Sequence, residues 1–245
     1  MQIVFLHGLA ASKNFFKEIE KSLNKFGAET FSFDLLGFGE NKDKGKDFTL
    51  KEHLLHIDNE ISKKFPHGEI VLIGHSMGGI LVLAWAKENK NRVSKIVLLN
   101  TPLFKNKEEA EKTILKSKTG WGYYLLSAPA FSRQACNILC KYNLMRFFKF
   151  LKPSYVPDNV FFDYHLHTFK SLSNTFKNIV LNTSVLSVLS SIAIPVLNIT
   201  AENDLLSNKH IQQKNVMTKV LPGGHLSPLQ YTEEVAGEIK QFFSM

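Results

Sequence analysis

The sequence predicts an α/β fold: a doubly wound, mostly parallel sheet of about six strands, with a helical segment inserted. Three observations predict it. Short runs of β-favouring apolar residues alternate with stretches whose apolar residues recur at helical spacing, the pattern of parallel strands joined by right-handed helical crossovers. At residues 70–86 a strand runs into a sharp turn and then a helix, with a serine at the apex. The residues richest in chemistry each follow a predicted strand, at the sheet edge where such folds bind ligands.

The first strand is Ile3-Val4-Phe5-Leu6, ending in His7-Gly8-Leu9, and a helix with Phe15, Phe16, Ile19 and Leu23 on one face follows. Phe31-Ser32-Phe33 reads as the second strand, ending in Asp34-Leu35-Leu36-Gly37-Phe38-Gly39. After a charged loop, Thr49 and Glu52 have the spacing of a capping box, ahead of a helix with Leu50, Leu54, Ile57 and Ile61 inward. Ile70-Val71-Leu72-Ile73 is the third strand and leads through the serine turn into an apolar helix; Ile96-Val97-Leu98-Leu99 is the fourth. Strands resume at residues 195–200 and 216–221, and a last helix is expected to start with Ser227 as its cap and Pro228 in its first turn.

Between these halves, residues 103–190 break the alternation. Helical patterns at 107–118, 132–150 and about 161–189 carry many aromatics, so the expected organisation is a core of 1–102 and 191–245 with 103–190 as a lid over the carboxyl edge. The chain has 245 residues, 44% of them hydrophobic, enough for one domain with an insertion. Its net charge of +8 is concentrated in that insertion, which holds 12 Lys/Arg against 5 Asp/Glu, a difference of +7. No nucleic-acid-binding signature accompanies the charge, so no nucleic-acid partner is expected. No apolar run is long enough to span a membrane, and Met1 leads straight into a strand without a signal-like segment. Cys136 and Cys140, one helical turn apart, suit packing rather than a disulfide, and a reducing cytoplasm is the expected compartment.

The stretch Gly74-His75-Ser76-Met77-Gly78 sets the chemistry. A nucleophile on so tight a turn needs neighbours without side chains, and the helix that begins there points its positive end at developing negative charge. Serine attacks only when a base takes its proton; histidine is the efficient base near neutrality, and a carboxylate holds the imidazole in one tautomer. Asp204 follows one late strand and His225 the next, so both reach the edge where Ser76 stands. Glu202 is the alternative acid, while the end of the fourth strand offers only Asn100-Thr101. Of the other histidines, His7 is expected to brace its loop, His75 to line the pocket or pack beside the turn, and His53, His56, His67 and His210 to lie on the surface. Asp163-x-His165-x-His167 is too weak a pattern for a metal site, and neither metal nor cofactor is expected.

In this order, His7-Gly8-Leu9, Asp34 to Gly39, Gly74 to Gly79, the acid of Glu202-Asn203-Asp204, and Gly224-His225 resemble an α/β-hydrolase, and the likeness spans nearly all of the chain outside the insertion. The resemblance implies Ser76, Asp204 and His225 as nucleophile, acid and base, in the chain order of that family. It also implies an oxyanion hole from the backbone N–H groups of Met77 and Leu9, Leu9 being a pocket-wall residue otherwise. Many relatives have two further strands before the one ending in His-Gly, so a shorter or more exposed sheet edge is expected here.

A serine nucleophile implies acyl chemistry, with a carboxylic ester hydrolase as the leading reading. The substrate contacts expected are His75, Trp121, Tyr124, Arg146 and Phe147. The basic, amphipathic stretch 141–152 is similar to the lids of esterases that demethylate pimeloyl-carrier-protein methyl ester. An acidic acyl carrier protein is therefore the candidate partner. Lipase or thioesterase activity, carbon–carbon bond hydrolysis, binding at an anionic membrane surface and a catalytically silent interaction module are the alternatives.

Overall fold

The computed structural model describes residues 1–117, 133–134, 150 and 152–245. Trp121, Tyr124, Cys136, Cys140, Arg146 and Phe147, and nearly all of the helix expected at 132–150, lie outside the described residues.

Six strands form one sheet: β1 (Gln2–Leu6), β2 (Glu29–Ser32), β3 (Ile70–His75), β4 (Val93–Leu99), β5 (Val196–Ala201) and β6 (Val216–Leu221). Their order is β2-β1-β3-β4-β5-β6 and every neighbouring pair is parallel. The chain moves outward from β1 to β2, then crosses back to β3 on the other side of β1. The point where the winding reverses lies between β1 and β3, the position at which open α/β sheets bind their ligands.

The central strands read as unbroken apolar runs because both of their faces are covered. Val4, Leu6, Ile70, Leu72, Ile96 and Leu98 face one buried cluster, while Ile3, Phe5, Val71, Ile73, Val97 and Leu99 face the other. This is the period-2 alternation of a strand with a core on each side. Helix α1 (Lys17–Lys25) and the last helix cover the second cluster. Helices α2 (Leu50–Lys64) and α3 (Met77–Glu88) cover the first. The expected capping box of α2 is present: Thr49 accepts from the Glu52 N–H, and the Glu52 carboxylate accepts from the Thr49 N–H. Strand β2, four residues long with Glu29 exposed, is the short edge.

The described part of 103–190 consists of α4 (Lys107–Lys116), α5 (Asp158–Asp163), α6 (Phe169–Thr175), a π-helical turn (Phe176–Leu181) and α7 (Val185–Ser190). The continuous helix expected from about 161 to 189 is thus divided. Leu166 gives its carbonyl to the Gly39 N–H at 2.8 Å, and Thr168 with Ser171 forms a new capping box that restarts the helix. Leu103, Phe104, Ile114, Ile179, Val185 and Leu189 join the first core cluster. His53 corrects another expectation, for it is fully buried rather than on the surface. The segment around Thr175 packs over α2, and the His53 Nε2 lies 3.2 Å from the Thr175 hydroxyl.

The last helix also differs. A short α8 (Ser227–Gln230) precedes α9 (Thr232–Phe243), separated by a non-helical Tyr231. Ser227 is the first residue of α8 and Leu226 stands at the cap position; the Ser227 hydroxyl accepts a hydrogen bond from Asn100. The Thr232 hydroxyl shares its one hydrogen between the Pro228 and Leu229 carbonyls left open at the end of α8.

Candidate active site

Ser76 stands between β3 and α3 with φ 53° and ψ −121°, a left-handed conformation that costs a non-glycine residue of order 1–3 kcal/mol. Its neighbours explain how the turn is tolerated. A Cβ on Gly78 would run into the Leu6 and His7 carbonyls, and one on Gly74 would lie 2.5 Å from the Gly79 amide. The Ser76 N–H donates to the Leu99 carbonyl at 2.9 Å, so the backbone at the apex of the turn is pinned to the neighbouring strand. Ser76 itself stays half-exposed while the residues around it are buried.

The structure brings the three sequence-predicted side chains together. The His225 Nε2 lies 2.8 Å from the Ser76 Oγ, and the His225 Nδ1 lies 2.9 Å from the Asp204 Oδ2. Because a carboxylate can only accept, Nδ1 carries the proton, which leaves Nε2 as the acceptor facing the serine. Asp204 is buried. Burial alone would raise its carboxyl, but His225, the Leu206 N–H and the Ser207 hydroxyl together outweigh that and hold it below its ordinary value. Glu202, the alternative acid, is exposed and points no group into this cluster; its N–H pairs with the Leu221 carbonyl in the sheet.

The loop after β1 faces the serine. A Cβ on Gly8 would lie 3.2 Å from the Ser76 Cβ and 3.0 Å from the His75 Nδ1, so this turn passes in contact with the elbow and sets Leu9 beside it. His7 holds that loop as expected: its Nδ1 donates to the Gly8 carbonyl at 2.8 Å and its Nε2 accepts from the Leu35 N–H at 2.9 Å. Burial lowers its pKa, and the Leu35 N–H on Nε2 sets the tautomer with the proton on Nδ1. Asp34 ties the same region together, accepting from the Lys13 and Glu40 amides at 2.8 and 2.9 Å. Met77 opens α3, where the first amides of a helix have no partner within it.

Of the two places open to His75, it takes the one beside the elbow. It is buried, stacked on Phe15 with ring centroids 4.2 Å apart. Its Nε2 donates to the His225 carbonyl at 3.0 Å, and burial, then the nearby His225, push its pKa down to about 3. Asn100 was legible in the sequence only as a missing acid, yet its side chain donates to the same carbonyl at 2.9 Å. Asp163 spends its carboxylate on the Ser12 hydroxyl at 2.6 Å and the Asn14 amide at 2.7 Å, joining α5 to the loop after β1. Among the described residues no group of three or more His, Cys, Asp or Glu could hold a metal, and no helix is long and apolar enough to cross a membrane.

A parallel sheet with a strained serine elbow, and a histidine and a buried aspartate in line at its carboxyl edge, defines the class of α/β proteins with a serine triad geometry. The family model of the α/β hydrolase fold matches residues 2–227, and the chain belongs to that family. It is 28% identical over 150 residues to the Arabidopsis thaliana protein named "Probable lysophospholipase BODYGUARD 4", a match covering 58% of this chain and 36% of that one. The chain therefore spans about a third of that relative's length. Among solved structures, a bromoperoxidase from Bacillus anthracis aligns over 100% of this chain and 92% of its own, with TM-score 0.76 and 18% identity. A thermophilic esterase from Thermogutta terrifontis aligns over 100% and 89%, with the same TM-score and identity. At such identity these two likenesses concern the fold.

Proposed function

We propose that this chain is a serine hydrolase of carboxylic esters working through an acyl-enzyme. The observation that carries the reading is the continuous line from Asp204 through His225 to Ser76, with both hydrogen bonds under 3 Å. In this reading the Ser76 Oγ attacks the acyl carbonyl while the His225 Nε2 takes its proton. The imidazolium that forms is stabilised by Asp204. The carbonyl oxygen, now negative, is received by the backbone N–H groups of Met77 and Leu9. His225 returns the proton to the leaving alcohol, and a water activated by the same imidazole then releases the acid.

The lysophospholipase name of the Arabidopsis relative denotes ester cleavage, which supports the choice of ester over other acyl substrates. The excess of +7 in residues 103–190 supports an acidic acyl carrier, such as a carrier-bound pimeloyl methyl ester, as the form in which the substrate arrives. That refinement predicts kinetics on a carrier-bound ester that fall steeply with salt, with a small ester unaffected.

The deciding experiment is hydrolysis of p-nitrophenyl esters, from acetate to long chains, by the wild type and by Ser76→Ala. The reading predicts a rate that peaks at one chain length and drops at least about a thousandfold in the variant. Equal rates in both proteins would remove Ser76 from the chemistry.

A further inference from the structure

We propose that His75 and Asn100 are a pair of positioning residues that hold the base through one shared acceptor, the backbone carbonyl of His225. The inference rests on the reading of His225 as the base. A carbonyl oxygen has two lone pairs, and here both are used: the His75 Nε2 donates at 3.0 Å and the Asn100 Nδ2 at 2.9 Å. The second N–H of the Asn100 amide extends the hold along the loop to the Ser227 hydroxyl at 2.8 Å, with the Gly224 carbonyl at 3.2 Å as a longer, shared contact.

The two donors are fixed by the sheet and not by the loop that they hold. His75 ends β3 and pairs in register with Leu99, the residue before Asn100. The Asn100 N–H donates to the Ile199 carbonyl at 2.8 Å, which continues the β4–β5 pairing past the last strand residue. Asn100 is fully buried at φ 45°, a left-handed conformation that asparagine tolerates better than most residues. That conformation turns a short amide towards the loop after β6. The loop needs such support, since it contains Gly223 at φ 91° and Gly224, around which a Cβ would meet nothing.

His75 is suited to the task because its donor does not switch. The ring is stacked on Phe15 and stays neutral at any pH near neutrality, so Nε2 keeps its proton for the His225 carbonyl. It is also the residue next to Ser76. One residue therefore ties the nucleophile's turn to the base's backbone, and a shift of the imidazole by a fraction of an ångström is what it prevents. Misplacement on the scale of 1 Å can cost roughly a hundredfold in rate.

The test compares His75→Met, which keeps bulk over Phe15 but loses the donor, with His75→Gln, which keeps an N–H at similar reach, and with Asn100→Gly, which accepts the backbone conformation without the amide. Two quantities are read: kcat and KM on a p-nitrophenyl ester, and the far-downfield proton NMR signal of the His225 Nδ1–H against Asp204. The expected result is a fall in kcat of about 10–100-fold for His75→Met and Asn100→Gly, with KM changed less than about threefold and the proton signal shifted or broadened. His75→Gln is expected to recover kcat to within about fivefold of wild type. Wild-type kcat and an unmoved proton signal in His75→Met would overturn the inference, as would a loss that His75→Gln shares in full. Should Asn100→Gly not fold, the His75 pair decides alone. If the wild type cleaves no ester, the functional reading fails, and the proton signal still decides the positioning role: lost or moved in His75→Met it stands, unchanged it falls.

Discussion

Replacing His53 with leucine should make the protein less sensitive to acid. His53 is buried, and burial, then the neighbouring His56, push its pKa from the ordinary 6.5 down to about 4. In a base whose folded pKa is depressed, the stabilising difference is complete above the unfolded pKa and is lost as pH falls from that value towards the folded one. Between those limits the unfolded chain binds a proton that the folded chain refuses. At pH 5 an unfolded histidine is nearly fully charged while His53 is still neutral, so this one residue lowers stability by about 2 kcal/mol relative to pH 7. His75, held at about 3, adds about the same, for a combined loss of about 4 kcal/mol against a typical domain stability of about 5–15 kcal/mol. The assay is urea unfolding followed by tryptophan fluorescence, at pH 7 and pH 5, for the wild type and His53→Leu. Leucine also removes the contact with Thr175, but that loss is the same at both pH values and cancels in the comparison. The drop from pH 7 to pH 5 should be smaller in the variant by about 2 kcal/mol. An identical drop in the two proteins would refute the claim that burial keeps His53 neutral.

Two further outcomes follow from the geometry of the elbow and triad. Asp204→Asn should leave the fold intact and lower kcat by roughly a thousandfold or more on any ester that is turned over, because an amide can present its N–H to Nδ1 and impose the wrong tautomer on His225; steady-state kinetics beside circular dichroism checks this. Gly78→Ala should fail to reach the native state or lose several kcal/mol, since its Cβ would overlap the Leu6 and His7 carbonyls; its melting temperature against that of Gly224→Ala, where a Cβ meets nothing, isolates the effect.

Much of this architecture is written in local patterns. The alternation of apolar runs and helical faces predicts the parallel sheet because each strand must bury both faces, and Val4 and Ile3 do so on opposite sides. The elbow glycines announce the turn because nothing larger fits between Gly78 and Leu6 or between Gly74 and Gly79. The capping box at Thr49 and Glu52 is a four-residue device and was equally readable. Where the sequence misleads, a partner distant in the chain intervenes. His53 looks like a surface residue of an amphipathic helix until the segment around Thr175, 122 positions later, covers it. Ser227 has the chemistry of a helix cap, yet the helix starts at it with Leu226 at the cap position, and its hydroxyl meets Asn100, 127 positions earlier.

The same division applies to the site. By itself the sequence determined which side chains could meet at one edge: Ser76, Asp204 and His225 follow the third, fifth and sixth strands, and strand ends in a parallel sheet converge on one edge. Only the tertiary structure decided what meets the His225 backbone. Whether a carbonyl at residue 225 receives donors from residues 75 and 100 depends on the register of β3 against β4 and on the path of the loop after β6. Hydrogen bonds of that kind depend on fractions of an ångström between segments more than a hundred residues apart, a distance over which sequence pattern carries no signal.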